Sequence, residues 1–403
     1  MKSIRSKLAI ATCTLLSQGA QQAGATESSW TADASYLLYS ETDRVTVNKV
    51  VTNANVTLGD NHLLTLEAVY DTITGATPTG AVKSGGTVTV TTPSSGGNGY
   101  KTASGTPDLA EFDDTRLGIN LGLTHSLRRT LRINYGASVS VERDYEAYGG
   151  NLTLERDNED RSVTFTAGIA TSYDTIFQSS GRTPKPMGDV DENNGNPTFF
   201  PAGNKRGLEG MLGVSRIINR RTVAQLNYTI KTLDGYLTDP YKVISMTREG
   251  IELKRFYESR PDSRLRQTLY GKLVHQLENR DTIQLSYRYY WDDWGIGSHT
   301  IDYRHRRNLS AGQYLEPHLR LYTQSAADFF YHSLPYGPEP EYASADYRLD
   351  KINSITLGAK YGRPAWGGTL RFRLEYLYQS FAEAEYDTNK ALIFQASFKK
   401  EFD

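Results

Sequence analysis

The sequence predicts an all-β fold: a transmembrane, antiparallel, up-and-down β-barrel of about sixteen strands. Three observations predict it. Apolar and polar residues alternate, tight turns alternate with long polar connections, and the N-terminal segment is typical of an exported protein. After Leu16, no run in the 403 residues approaches the ~20 apolar residues of a membrane helix. The chain therefore has the pattern of a protein that crosses a membrane with strands.

The composition also favours a barrel. Hydrophobic residues make up 38% of the chain, and 27 residues are tyrosine. A membrane strand needs apolar residues only at alternate positions, and tyrosine suits both strands and membrane–water interfaces. The formal net charge of −1 gives no basis for a nucleic-acid partner.

The N-terminal segment is predicted to be a signal peptide covering residues 1–25. Three basic residues come before a short apolar stretch at 8–16, and Ala23 and Ala25 frame a small-residue cleavage site. A membrane anchor is the alternative, but the apolar stretch is too short for one. Residues 26–403 would then be the barrel. The only cysteine, Cys13, lies in the predicted signal peptide, so the exported chain would have no thiol and no disulfide.

The strand pattern is clearest at 115–124, 131–141, 282–291 and 369–378, where one face is apolar and the other polar. Alternation also continues from Leu392 to Phe402. That C-terminal segment looks like the final strand by which outer-membrane proteins are recognised for insertion by the barrel-assembly machinery. An ordinary last strand would show the same alternation, and Asp403 follows the terminal aromatic residue.

The connections predict the orientation of the barrel. Short turns on one side of a barrel face the periplasm, and long loops on the other face outward. Tight turns are predicted near 59–61, 126–129, 157–160, 219–221, 278–281, 310–312 and 363–368, and long loops near 76–112, 174–204, 236–262 and 326–345. A soluble β-sandwich would not alternate in this way. Both termini are expected in the periplasm, and the loop at 76–112, rich in Gly, Ser and Thr, could fold into the lumen.

Charged residues occur on the polar faces, and we expect them to line the lumen together with Glu142. They are Arg116, Arg132, Arg264, Arg266, Arg288, Asp302, Arg304, Arg306, Arg371, Arg373 and Glu375. One interpretation is a basic wall that favours anionic solutes. The other is a ladder of Arg–carboxylate pairs that fills and stiffens the barrel.

A small cluster at the predicted outer rim is the only candidate for catalysis. Asp292 and Asp293 stand between two tryptophans, and His299 follows. Paired carboxylates near a histidine could activate water for hydrolysis. The alternative is a solvated hairpin tip whose tryptophans lie at the membrane interface.

The sequence predicts no metal site and no cofactor. The segment Asp189–Asn193 has the alternating oxygen pattern of a calcium loop, but Asn194 stands where that loop requires glycine. The seven histidines are scattered without metal-ligand spacing.

Several segments resemble an uncharacterised family of Gram-negative outer-membrane proteins, named only as a domain of unknown function. They are Asp71–Gly80, Leu237–Lys242, Arg260–Arg264 and Tyr287–Thr300. The resemblance runs over nearly the whole exported chain. It implies genes nearby for a small lipoprotein, a thioredoxin-like protein and a flavin transferase, and hence a redox partner. It carries over no catalytic residue.

The expected protein is therefore an integral barrel of the cell outer membrane, in contact with its lipid and not an enzyme. It would serve as a pore, an export conduit or a sheath for a periplasmic or surface partner. The alternative is an outer-membrane hydrolase with its site at Asp292, Asp293 and His299.

Overall fold

A computed structural model describes residues 29–42, 44–82, 109–178, 181–190 and 199–402. The predicted signal peptide with Cys13, most of the loop at 76–112, and Asp191 to Asn194 lie outside these residues.

Strands dominate the described chain. There are twenty-one: β1 Trp30–Glu41, β2 Val45–Leu58, β3 His62–Pro78, β4 Leu109–Arg128, β5 Leu131–Val141, β6 Tyr145–Asp157, β7 Val163–Ile176, β8 Arg182–Pro184, β9 Phe199–Pro201, β10 Gly203–Asn219, β11 Thr222–Gly235, β12 Val243–Arg248, β13 Ile251–Tyr257, β14 Ser263–Gln276, β15 Thr282–Asp292, β16 Gly297–Asn308, β17 Tyr314–Gln324, β18 Leu334–Pro335, β19 Ile352–Ala365, β20 Gly368–Phe381 and β21 Thr388–Phe402. Two short 3-10 helices cover Ser310–Gly312 and Tyr347–Leu349. Among the described residues, no helix is long and apolar enough to cross a membrane.

Sixteen of these strands form one closed antiparallel barrel, which confirms the predicted fold class and strand count. They are β1–β7, β10, β11, β14–β17 and β19–β21, each paired with the next, and β21 pairs with β1 to close the ring. At the closure, the rings of Trp30 and Phe402 stack with centroids 3.8 Å apart. Closure leaves no unpaired strand edge, which lipid would not tolerate.

The seven predicted tight turns join barrel strands at one end, where both ends of the barrel chain also lie. The four predicted long loops lie at the other end. That end also has four short connections, near 42–44, 142–144, 293–296 and 382–387, and the sequence predicted only the one that follows Asp292, as a hairpin tip. Alternation continues close to the other three turns, so the sequence pattern does not mark them.

The outer face of the barrel is apolar. Leu117, Phe165, Leu212 and Leu357 are each more than half exposed, and their neighbours along each strand point inward. Side chains this apolar and this exposed are stable only against lipid, and only a closed barrel satisfies its backbone there. The protein is therefore an outer-membrane barrel.

Strands outside the barrel build two small sheets. β13, β12 and β18 form one sheet, and β8 and β9 form the other. All of them belong to connections at the end with the long loops, so the outward side of the barrel carries additional folded structure.

Candidate functional site

Two long connections form a single folded unit at the end of the barrel with the long loops, the mouth that is predicted to face outward. One is 236–262, with β12 and β13, and the other is 325–351, with β18; we call them together the lid. They share an apolar core in which every member is buried. Its residues are Ile244, Met246, Phe256, Leu334, Ala343 and Ala345. The lid is thus held together by its own hydrophobic packing.

A buried ionic network joins the same two connections. The guanidinium of Arg260 lies 2.7 Å from Glu258 and 2.8 Å from Asp346. Arg348 lies 2.7 Å from Asp239 and also pairs with Asp346. Each arginine therefore connects two carboxylates, an arrangement suited to the planar guanidinium.

Burial and neighbouring charges change the pKa values of the carboxyl groups in this network. It raises the pKa of the Glu258 carboxyl, against the attraction of Arg260. It would also raise the pKa of Asp346, but the positive charges of Arg348, Lys242 and Arg260 outweigh burial and hold that pKa well below its usual range. Asp346 therefore stays ionised in the closed lid.

The lid reaches the opposite rim of the barrel, and we call this contact the seam. The Lys242 ammonium donates to the Pro78 carbonyl at the end of β3, and the Val243 amide donates to Thr79 over 3.0 Å. Gly80 has a φ of +101°, and a Cβ there would come within 2.4 Å of the Val243 oxygen. Only glycine permits this close approach. Lys242 is 1% exposed, and this burial lowers its pKa to about 8.

Three more contacts extend the seam around the mouth. Tyr241 donates to Asp144 in the β5–β6 turn over 2.5 Å. The Gln178 amide, just after β7, donates to the Pro240 carbonyl over 2.8 Å. The Arg44 guanidinium, beside the β1–β2 turn, lies 4.9 Å from the centre of the Tyr347 ring. These seam contacts are polar or cation–π, whereas the lid itself is held together by its apolar core and by the buried ionic network.

Three carboxylates lie together under the seam. Oxygens of Asp114, Glu142 and Asp144 come within 4.8 Å of one another. Such a set could hold a hard cation. However, Tyr241 already binds Asp144, and burial raises the pKa of that carboxyl. The cluster can be explained without a metal, as a contact of the seam.

The structure places all eleven predicted lumen residues on the inner face of the barrel, since each lies at a strand position that alternates with lipid-facing ones. Most of the arginines are in ion pairs. Arg116 pairs with Asp71 at 2.7 Å, Arg132 with Asp157 at 2.7 Å and Glu155 at 3.0 Å, and Arg304 with Asp302 at 3.1 Å. Arg264 pairs with Asp292, and Arg371 with Asp33.

A few inner-wall cations are paired weakly or not at all. Within the described chain, Arg266, Arg288 and Arg306 have no carboxylate within 4.0 Å, and Arg373 reaches Glu375 only at 3.8 Å. Arg306 stacks on Tyr314, 3.8 Å from the ring centre. The wall is therefore largely a ladder of ion pairs, with a few guanidinium groups left outside them.

The sequence analysis did not identify several inner-wall residues that lie beside the predicted ones. His318 lies 2.8 Å from both Asp302 and Glu375, and Lys360 lies 2.6 Å from Glu316. Their strand, β17, and its neighbour β19 have the same alternation, which would have revealed them. These residues help to line a polar concavity of about 310 Å³.

The predicted rim site does not assemble. The two oxygens of Asp292 accept from Arg264, Tyr290 and the amides of Trp294 and Ile296. Asp293 accepts from the Leu265 amide over 2.9 Å. His299 pairs in register with Tyr289 on the lipid face and binds the Tyr287 hydroxyl at 2.6 Å. Asp292 and His299 thus lie on opposite faces of the wall, which corrects the proposed grouping.

Comparison with known proteins gives a family but no activity. The family described as "Protein of unknown function (DUF3570)" matches residues 5–393. No curated protein matches the sequence.

Solved structures match at the level of the barrel. The ferric enterobactin receptor PfeA of Pseudomonas aeruginosa is 11% identical with a TM-score of 0.44, covering 89% of this chain and 55% of the receptor. This chain thus spans about half of the receptor's length. The outer membrane protein opdK of the same organism is 8% identical, with a TM-score of 0.41 and coverage of 93% and 99%. A bacterial polysaccharide outer membrane secretin is 10% identical, with a TM-score of 0.46 and coverage of 94% and 99%.

Proposed function

The chain belongs to the DUF3570 family of proteins of unknown function, and from its geometry we propose that it is a gated conduit for polar solutes across the outer membrane. The lid is the gate, and the charged inner wall is the path. One observation carries the proposal: the lid is held together by an apolar core and buried ion pairs, but it meets the far rim through polar and cation–π contacts.

The apolar core of the lid and the seam differ in the free energy needed to separate them. Separating the apolar core of the lid would expose buried side chains to water, at about 25 cal/mol per Å². Water can replace most hydrogen bonds of the seam, so each contributes only about 0.5–1.5 kcal/mol net, or about 1.5–3 kcal/mol where one partner is charged. The lid therefore separates more easily at the seam than within itself, and it can move as a unit.

The wall beneath the lid suits a passage. A barrel of sixteen strands is wide enough for an aqueous channel. Its inner face is polar and charged, and the described turns at the periplasmic end are tight and do not cross the opening. A permanent sheath around a partner would have little need for a polar seam, so this geometry favours a gate.

Tethering the seam tests this function. Thr79 and Val243 are joined by a backbone hydrogen bond across the seam, so cysteines at both positions would lock the lid when oxidised. We expect conductance in planar bilayers from the reduced double variant and its loss on oxidation. A matched pair at Thr31 and Asn55, neighbours on β1 and β2, should conduct equally in both states. Conductance that ignores the seam disulfide, or its absence even after reduction, would refute a gate at this seam.

The proposal also covers how the protein is exported to the outer membrane and which partners it binds there. Export would remove residues 1–25, and the barrel-assembly machinery would recognise β21. N-terminal sequencing of the protein from outer membranes tests the first step, and the mature chain should begin at Thr26. Mass spectrometry of the native preparation tests for a small lipoprotein or redox partner.

A further inference from the structure

We propose that the inner wall in the periplasmic half of the barrel binds a small oxyanion, a carboxylate or a phosphate, through Arg371 and Arg373. This inference deepens the proposed function by naming the class of solute. The site is the polar concavity of about 310 Å³ between β16 and β2. Its size suits a small organic or inorganic anion.

Charge in the concavity is unevenly matched. The positive groups are Arg304, His318, Lys360, Arg371 and Arg373, and the carboxylates beside them are Asp33, Asp302, Glu316 and Glu375. Five positive groups thus face four carboxylates, provided that the histidine carries both ring hydrogens. It does so when both flanking carboxylates are ionised, because each ring nitrogen must then donate a hydrogen.

The carboxylates are already occupied by protein cations. Asp33 is bound by Arg371, and Glu316 by Lys360 at 2.6 Å. Asp302 and Glu375 share the ring of His318. A cation entering the concavity would therefore find no carboxylate without a partner.

The two arginines, in contrast, retain hydrogen-bond donors. Arg373 makes no hydrogen bond to a described residue, lies 3.8 Å from Glu375, and has a side chain that is 27% exposed. Arg371 is bound to Asp33, and its Nε–H has no acceptor among the described residues. The residues lie two positions apart on β20, so both face the same side. Gln395 and Ser397, their partners in register on β21, place neutral polar groups beside them. An oxyanion would satisfy donors that the protein leaves open, in the forked geometry that guanidinium prefers.

Calorimetry on the purified full-length protein in detergent at low ionic strength tests the site. Sodium phosphate and succinate are the two probes. We expect saturable binding of at least one, weakened about tenfold or more by Arg373→Gln through loss of a charge-assisted hydrogen bond. Binding of only one probe assigns the site to phosphate or to carboxylate. The control is Arg307→Gln, which removes the same charge from the outward face of β16 and should leave the affinity unchanged.

Absence of binding for both probes, or equal affinity in Arg373→Gln, would overturn the site. Barrel assembly is checked by the mobility of unheated protein on gels. If Arg373→Gln does not assemble, Arg373→Lys keeps the charge but loses the fork. It should also bind more weakly, and unchanged affinity would overturn the site. Binding in detergent needs no lid movement. Binding without conductance therefore refutes only the conduit, and a gated conductance without binding refutes only the anion site.

Discussion

Tyr241 and Asp144 lie on connections separated by four strands of the wall, yet the tyrosine hydroxyl donates to the Asp144 carboxylate over 2.5 Å. Such a contact forms only when the lid extends across the mouth. A hydrogen bond to a charged acceptor is also stronger than a neutral one. Among the seam contacts, this one is well suited to report whether the lid is closed.

Replacing Tyr241 by Phe removes this hydrogen bond without changing the ring. A hydrogen bond to a charged group contributes about 1.5–3 kcal/mol, so we expect the ratio of open to closed lids to rise about 10- to 100-fold. Single-channel open probability measures the change. Tyr148→Phe, on the outward face, should have no such effect. Equal open probability in the wild type and Tyr241→Phe would mean that the seam does not control opening.

Opening should also depend on pH through Asp144. Burial raises the pKa of its carboxyl, although the Tyr241 hydrogen bond opposes this. The protonated form is therefore favoured in the closed lid. Its contribution to closure is fully present below the ordinary carboxyl pKa of about 4 and is lost as pH rises through the raised pKa. We expect open probability to increase as pH rises above about 4.

Asp144→Asn tests this assignment, because an amide does not titrate. The pH dependence in this window should become smaller in the variant. An unchanged pH profile in Asp144→Asn would exclude Asp144 as a titrating group of the gate.

The barrel could be predicted from sequence because its signal is local. Arg116 and Leu117 face opposite sides simply because they are adjacent in a strand. The lid could not be predicted, since Lys242 and Pro78 are 164 residues apart and share no periodic pattern. The segments Asp71–Gly80, Leu237–Lys242 and Arg260–Arg264, which carried the family resemblance, nevertheless converge at the lid and its seam.

The stability of the barrel should depend on the buried ion pairs of its inner wall. Arg116 and Asp71 are paired at 2.7 Å, and their side chains are 3% and 1% exposed. Arg116→Met leaves a buried carboxylate without its guanidinium, which should lower the free energy of unfolding by about 3–5 kcal/mol. Urea unfolding, followed by tryptophan fluorescence, measures this change in the free energy of unfolding. The double variant with Asp71→Asn should regain much of the loss, and a double variant as unstable as the single one would show that the charge imbalance is not the cause.

Substitutions of Asp292 and His299 distinguish a structural role of these rim residues from the hydrolase alternative. Asp292 accepts from Arg264, Tyr290 and two backbone amides of the β15–β16 turn. Asp292→Ala leaves these donors unsatisfied and should destabilise the barrel by about 2–4 kcal/mol. His299→Ala, on the lipid face, should change stability by less. A surface hydrolytic activity that is lost in both variants, with both barrels assembled, would instead favour a catalytic rim.

Lys242 gives the gate a second pH window with the opposite sign. Its ammonium is buried against β3 and Tyr347, and burial lowers its pKa from 10.5 to about 8. In the open lid, where the side chain meets water, the pKa returns toward 10.5. Between pH 8 and 10.5 the open state therefore binds more protons, so closure becomes more stable as pH rises. Through this lowering of the Lys242 pKa, a rise in pH across the window stabilises the closed lid by about 3 kcal/mol. We expect open probability to fall from pH 8 to 10, and Lys242→Met to remove this fall. Lys254→Met, at a more exposed site in the same lid, should retain it. A fall that persists in Lys242→Met would assign the alkaline window to another group.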